Sequence, residues 1–174
     1  PNKIKNIIGI FKAYCTRVGN GPFITELKND VGKKMAKRGN EFGSTTGRPR
    51  RCGWLDAVAL KRACKINGTT SLCVTKLDVL DGLKKIKICV DYRKCSENMS
   101  SYPIHLDDYQ DLEPVYETLS GWNDTTAGIR DWESLPDKAC RYLERVEELI
   151  DVKIDIVSTG PDRADTIVLQ HPFL

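Results

Sequence analysis

Between Leu135 and Gly160 the sequence changes its period once, and that change constrains the fold more than any other feature. In "LPDKACRYLERVEELI" (135–150), Ala139, Tyr142, Leu143, Val146, Leu149 and Ile150 share one face at helical spacing, with Arg145 and Glu148 opposite. "VKIDIVSTG" follows at once as an apolar run ending in a glycine turn, the mark of a buried strand. A helix feeding directly into such a strand is a building unit of α/β proteins.

The same alternation recurs upstream. "WLDAVALKRACKING" (54–68) puts Leu55, Val58, Ala59, Arg62 and Ala63 at helical spacing and stops at Asn67-Gly68. The strands "SLCVTKL" (71–77) and "IKICVDY" (86–92) come next, joined by "DVLDGLKK". "IKNIIGIFKAY" (4–14) reads as a buried strand that empties into the turn "CTRVGNGPF". "TELKNDVGKKMAKRG" reads as a helix with Thr25 as N-cap, Glu26 in its first turn and Gly39 as its stop. From Arg93 to about Trp132 the chain is polar and loop-rich, with small β-structure expected around "EPVYETL" and "GWNDTTAGIRDWESL". "DTIVL" supplies a last strand. The expected fold is α/β: a mixed, largely parallel sheet with flanking helices and small antiparallel additions, without internal repeats.

Composition narrows the function classes. With 174 residues the chain is long enough for a real core, and its net charge of +3 makes no case for a nucleic-acid binder. The seven cysteines are odd in number and form no C-x-x-C pair, which fits a reducing compartment better than a disulfide framework. Sequons at Asn67, Asn98 and Asn123 point weakly the other way. No apolar run approaches the ~20 residues of a membrane span. The expectation is a cytoplasmic protein with no membrane partner. The chain opens at Pro1 without methionine and reads as the interior of a longer sequence.

Three loops carry the chemistry. In "EFGSTTGRPRRCGW" (41–54), Thr45 and Thr46 offer hydroxyls, Gly47 allows close backbone approach, and Arg48 and Arg50 offer planar forks that match carboxylate or phosphate oxygens. Pro49 stiffens the turn between them. The residue types leave open an anion site, a solvated basic loop and a nucleic-acid patch. In "TKLDVLD" (75–81) a carboxylate at a strand end can accept from N1–H and the 2-amino group of guanine, a donor pair adenine lacks, while Lys76 lays its stem along the base. On its own the signal is weak, and a K-x-D at a strand end is more often a solvated strand terminus. "VSTGPDR" (157–163) is a tight turn whose residues Ser158 to Gly160 can offer N–H groups to a base, and by itself it is an ordinary turn. Two histidines in unrelated contexts and no Cys/His cluster give no metal or nucleophile motif. The three tryptophans read as packing residues.

Taken in order, "KAYCTRVGNGPFITEL", "FGSTTGRPRRCGWLD", "TKLDVLDGL" and "VSTGPDR" resemble the C-terminal part of the adenylosuccinate synthetase family, over nearly the whole chain. The resemblance is weakest between Arg93 and Trp132. It implies that residues 1–174 are the C-terminal portion of a larger single-domain ligase fold. The family joins IMP to L-aspartate with hydrolysis of GTP, first phosphorylating O6 of IMP and then displacing the phosphate with the aspartate amine. It further implies that Ser44, Thr45, Thr46, Gly47, Arg48, Pro49 and Arg50 hold aspartate, and that Val18 and Arg48 meet IMP. Arg50, Lys76, Leu77, Asp78, Ser158, Thr159 and Gly160 would meet GTP. A homodimer and Mg²⁺ are implied for the full-length enzyme, the metal held mainly by the other half and the substrates.

The family's Gly-Asp-Glu-Gly-Lys-Gly phosphate loop, and the aspartate and histidine of its acid–base chemistry, have no counterpart in these residues. The expectation is recognition without catalysis. A non-catalytic guanine-nucleotide-binding module is the alternative, which the intact "STTGRPRR" run disfavours. A nucleic-acid binder is disfavoured by acidic stretches such as "HLDDYQDLEP".

Overall fold

The computed structural model describes residues 4–43, 47–95, 97–99, 102–103, 109 and 111–171. These fall into two compact units: Pro1–Ala13 with Ala59–Ile86 and Leu119–Leu174, and Tyr14–Val58 with Lys87–Thr118.

The first unit is built on a four-stranded sheet. Strands β1 (Ile8–Lys12), β5 (Ser71–Thr75), β9 (Ile154–Ser158) and β10 (Thr166–Val168) lie side by side in the order β1-β5-β9-β10. β1, β5 and β9 are mutually parallel, with Ile10 opposite Cys73 and Val74 opposite Val157, and β10 is the antiparallel addition. The expected α/β class and largely parallel main sheet are therefore what the chain adopts.

Helix α3 (Asp137–Ile150) buries Ala139, Tyr142, Leu143, Val146 and Ile150, the stripe its spacing predicts. Tyr142, inside the apolar face, donates its hydroxyl to the Ala13 carbonyl at 2.6 Å, so its polar tip is satisfied. Asp151 ends the helix in the left-handed region, and Glu147 accepts from the Ile154 N–H at 2.7 Å, bracing the step into β9. Helix α2 (Ala57–Asn67) is tied to the end of α3 by Lys61 Nζ and the Leu149 carbonyl, 3.0 Å apart.

The second unit pairs β2 (Cys15–Arg17) with β3 (Arg51–Gly53) as an antiparallel ribbon. It also sets β4 (Leu55–Asp56) parallel to β6 (Lys85–Lys94), which in turn pairs with β7 (Glu97–Met99) and β8 (Leu112–Ser120). Helix α1 (Asp30–Arg38) belongs here too. The buried Asp56 carboxylate is satisfied by the Tyr92 hydroxyl, 2.7 Å and 2.8 Å from its two oxygens, and burial pushes that phenol well above its ordinary range.

Four expectations are corrected. β1 is an edge strand, not a buried one: it has a single neighbour among the described residues, and Ile10 is 75% exposed. Thr25 does not cap α1. Its carbonyl accepts from Trp54 N, Glu26 bridges to Gly53 and the Leu27 N–H donates to Cys52, so this stretch is held extended against β3. The helix starts instead at Asn29, whose Oδ1 accepts from Val31 N and Gly32 N at 3.1 and 3.2 Å. Leu55, counted with the helical face of α2, lies in β4. "GWNDTTAGIRDWESL" (121–135) contains no strand, β8 ending at Ser120, and its order comes from side-chain hydrogen bonds described below. Trp54 and Trp122 are buried, as packing residues should be.

Candidate functional site

β5 and β9 run parallel and adjacent, so their C-terminal ends emerge side by side. Lys76, Leu77 and Asp78 follow β5 directly, while Ser158, Thr159 and Gly160 close β9. The carboxyl ends of parallel strands are where open α/β sheets bind ligands. Two of the predicted segments thus meet at one edge of the first unit.

Lys76 turns the chain there. It sits at φ 61° and ψ 36°, in the left-handed region that disfavours a side chain by about 1–2 kcal/mol. The 3-10 turn Leu77–Leu80 follows, anchored by the buried Leu77, Val79 and Leu80. Those anchors leave Asp78 half-buried at the mouth of the turn. Burial first, and the charge of Asp81 second, push its carboxyl above the usual carboxylate range, while Lys76 pulls it back. The strain at Lys76 gives a direct test. Lys76→Gly should be more stable than Lys76→Ala by about 1 kcal/mol, the reverse of the usual order, because only glycine relieves the left-handed backbone. Thermal denaturation of the two variants reads the difference, and an alanine variant at least as stable as the glycine one would remove the strain from the account.

The second turn is bonded inwards as well as outwards. Thr159 is fully buried, its N–H donates to the Asp165 carbonyl at 3.0 Å, and its hydroxyl donates to the Ile129 carbonyl at 2.7 Å. That N–H is committed to the fold and is not offered outward. Ser158 donates its hydroxyl to the Gly160 carbonyl at 3.1 Å. A Cβ at Gly160 would lie 2.5 Å from Asp165 Oδ2, which explains a glycine at this point.

The arginine loop lies in the second unit. Ser44, Thr45 and Thr46 fall outside the described residues. On either side, Gly43 N donates to the Arg48 carbonyl at 2.8 Å and Arg50 N to the Glu41 carbonyl at 2.8 Å, closing a narrow hairpin. Gly47, at φ +63°, makes the turn, and Arg48 and Pro49 are exposed.

The three arginines, alike in sequence, do different things. Arg48 projects from the loop. Arg50 is held by Glu41, whose fully buried carboxylate lies 3.0 Å from Nη1 and also accepts from the Tyr14 hydroxyl. Arg51 grips Glu26 with Nε and Nη2 at 2.7 and 2.8 Å, and donates from Nη1 to the Gly19 and Gly21 carbonyls, both at 2.8 Å. The Arg51 hydrogen bond holds the Glu26 carboxyl below its ordinary range, and the same bond raises the guanidinium. Arg51 therefore shapes the loop that carries Val18.

In the β2–β3 ribbon Arg17 faces Arg51, so Val18 and Arg50, the next residues outward on each strand, leave the ribbon at the same end. Val18 is 52% exposed. This brings Val18, Arg48 and Arg50 onto one unit, while 76–78 and 158–160 belong to the other. Glu41 and Arg51 carry roles the sequence reading did not assign. Glu41 had one visible signal, a lone carboxylate close before an arginine cluster.

Among the described residues no group of three or more His, Cys, Asp or Glu side chains is placed to hold a metal ion. Among the same residues no helix is long and apolar enough to cross a membrane.

A model of the adenylosuccinate synthetase family matches residues 1–167. The chain is 56% identical over 173 residues to adenylosuccinate synthetase 2 of Chromobacterium violaceum, covering 99% of this chain and 40% of that protein. It is 57% identical over 175 residues to the adenylosuccinate synthetase of Nitrosomonas eutropha, with the same shares covered. The structure of fully ligated adenylosuccinate synthetase from Plasmodium falciparum superposes with a TM-score of 0.93 at 39% identity, over 97% of this chain and 41% of that one. The chain thus spans about two fifths of the length of the proteins it matches.

Proposed function

The chain belongs to the adenylosuccinate synthetase family, and from that premise we propose that it supplies the recognition half of a GTP-dependent ligase that joins IMP and L-aspartate into adenylosuccinate, releasing GDP and phosphate. The observation that carries the reading is the pairing of the Lys76–Asp78 and Ser158–Gly160 turns at adjacent strand ends. Asp78 accepts from N1–H and the 2-amino group of guanine, Lys76 lies against the base, and the 158–160 turn closes over it. In the other unit, Arg48 and Arg50 pair with the carboxylates of aspartate, assisted by residues 44–47. Arg48 and Val18 border IMP, and Arg50 reaches toward GTP.

The fixed Glu41–Arg50 pair supports this assignment, because a guanidinium already held on one side loses less freedom when it binds an anion. When bound, Mg²⁺ would offset phosphate charge. The family premise extends to a cytoplasmic homodimer.

The sequence carries no Gly-Asp-Glu-Gly-Lys-Gly phosphate loop, and on this reading phosphoryl transfer needs residues of a full-length protein beyond these. Incubated with GTP, IMP and aspartate, the chain should release no phosphate, whereas a protein of the relatives' full length carrying it should release phosphate only when all three are present. Release by the 174 residues alone would overturn the division of labour. Failure of the full-length protein would overturn the ligase reading.

A further inference from the structure

The turn bearing Asp78 does not rest on β5 alone. Asp81 accepts from Trp122 Nε1 at 2.6 Å and Thr126 Oγ1 at 2.8 Å with one oxygen. Its other oxygen accepts from Thr126 N at 2.8 Å and Thr125 Oγ1 at 3.3 Å. The main chain reinforces this junction, Gly82 N donating to the Trp122 carbonyl at 2.8 Å and Gly121 N to the Lys84 carbonyl at 3.0 Å. Trp122 and Thr126 are buried, so their bonds to Asp81 are partly sheltered from water, while that of the exposed Thr125 is not.

A few residues on, the same segment grips the other turn. Ile129 accepts the Thr159 hydroxyl, and Arg130 Nη2 donates to Asp165 Oδ1 at 3.1 Å. Asp165 is also the residue packed against Gly160. Residues 121–130 therefore form a strap fastened at one end to the Asp78 turn and at the other to the 158–160 turn.

We propose that Asp81 is a positioning residue for guanine specificity: by fastening this strap it fixes the aim of the Asp78 carboxylate and the spacing of the two turns between which the base lies. The inference rests on the reading of Asp78 as the guanine acceptor. A base held by two hydrogen bonds to one carboxylate tolerates errors of only about 0.5 Å. Asparagine at 81 would turn an amino group toward one of the two pairs of donors it now satisfies, loosening the strap without opening the core.

The test is steady-state kinetics of Asp81→Asn and Trp122→Phe in an enzyme of the relatives' full length carrying this sequence, with GTP and with ITP, which lacks the 2-amino group. For Asp81→Asn the KM for GTP should rise about tenfold with kcat within about twofold, since one strong charge-assisted bond is lost. The preference for GTP over ITP should shrink several-fold, and the KM for aspartate should not move. Trp122→Phe keeps one aromatic ring but removes the pyrrole ring with its N–H donor, so it should give the same split at smaller size, and it carries the test if Asp81→Asn folds poorly. A purely structural role would lower stability and leave the GTP-to-ITP ratio alone. That ratio unchanged in both variants, with Asp78→Asn still altering nucleotide choice, sinks the proposal for Asp81 while the site stands. If Asp78→Asn alters nothing, the guanine reading fails and this inference falls with it.

Discussion

Asp78→Asn should convert the proposed guanine site into one that tolerates xanthine. Aspartate presents two acceptors to the N1–H and 2-amino donors of guanine. Asparagine presents one acceptor and one donor, so against guanine an amino group faces an amino group and two buried donors go unpaired. Xanthine carries an oxygen at that position and accepts what asparagine offers. Sites that reject a ligand by leaving buried polar groups unpaired discriminate strongly, so the GTP-to-XTP preference should shift by roughly 10³-fold. Phosphate release with each nucleotide, in an enzyme of the relatives' full length, measures it. An unchanged preference removes Asp78 from the base site.

The same substitution should raise thermal stability. Burial and Asp81 hold the Asp78 carboxyl above its ordinary range, so the folded protein binds this proton more tightly than the unfolded chain does. The ionised side chain therefore subtracts from stability at neutral pH. That deficit fades as pH falls through the raised value, and it is gone below the ordinary carboxylate pKa of about 3.9. Asparagine, never charged, should melt higher than wild type at pH 7, with the gap closing in acid.

The second large effect concerns Glu41. Its carboxylate is 0% exposed and holds both Arg50 and the Tyr14 hydroxyl, itself buried. Glu41→Ala should lose about 3–5 kcal/mol, because it leaves Tyr14 buried without its acceptor and Arg50 without its counter-charge. Glu41→Gln retains the shape and one acceptor and should lose only about 1–2 kcal/mol. Denaturant unfolding of the two variants checks the order. A loss under about 1 kcal/mol for the alanine variant would mean that the network does not hold the loop.

Local signals account for what was legible in the sequence. The stripe of α3 and the apolar run of β9 are written in consecutive residues, and each needs only its own period to be recognised. The turn proposed to meet guanine could be picked out for a similar reason: Lys76 to Asp78 is one contiguous element at a strand end. What escaped depends on partners far along the chain. Thr25 has the residue type of a cap, but the main chain of Thr25 to Leu27 is claimed by β3. Its hydroxyl is left buried without a hydrogen-bond partner among the described residues. Arg48, Arg50 and Arg51 are chemically identical, and only distant partners tell them apart: Glu41 holds Arg50 and Glu26 holds Arg51. "WNDTTAG" owes its order to Asp81, which no periodicity announces.

The exposed margin of the main sheet has a practical consequence. Ile10 is three-quarters exposed on a strand with one neighbour among the described residues, and such a margin is adhesive toward any extended segment, including those of other copies. Handled at high concentration, the 174 residues should be prone to clumping through β1 well before either candidate site is damaged. A lysine in place of Ile10 would put a charge on that margin and blunt it, leaving every residue of the two candidate sites untouched.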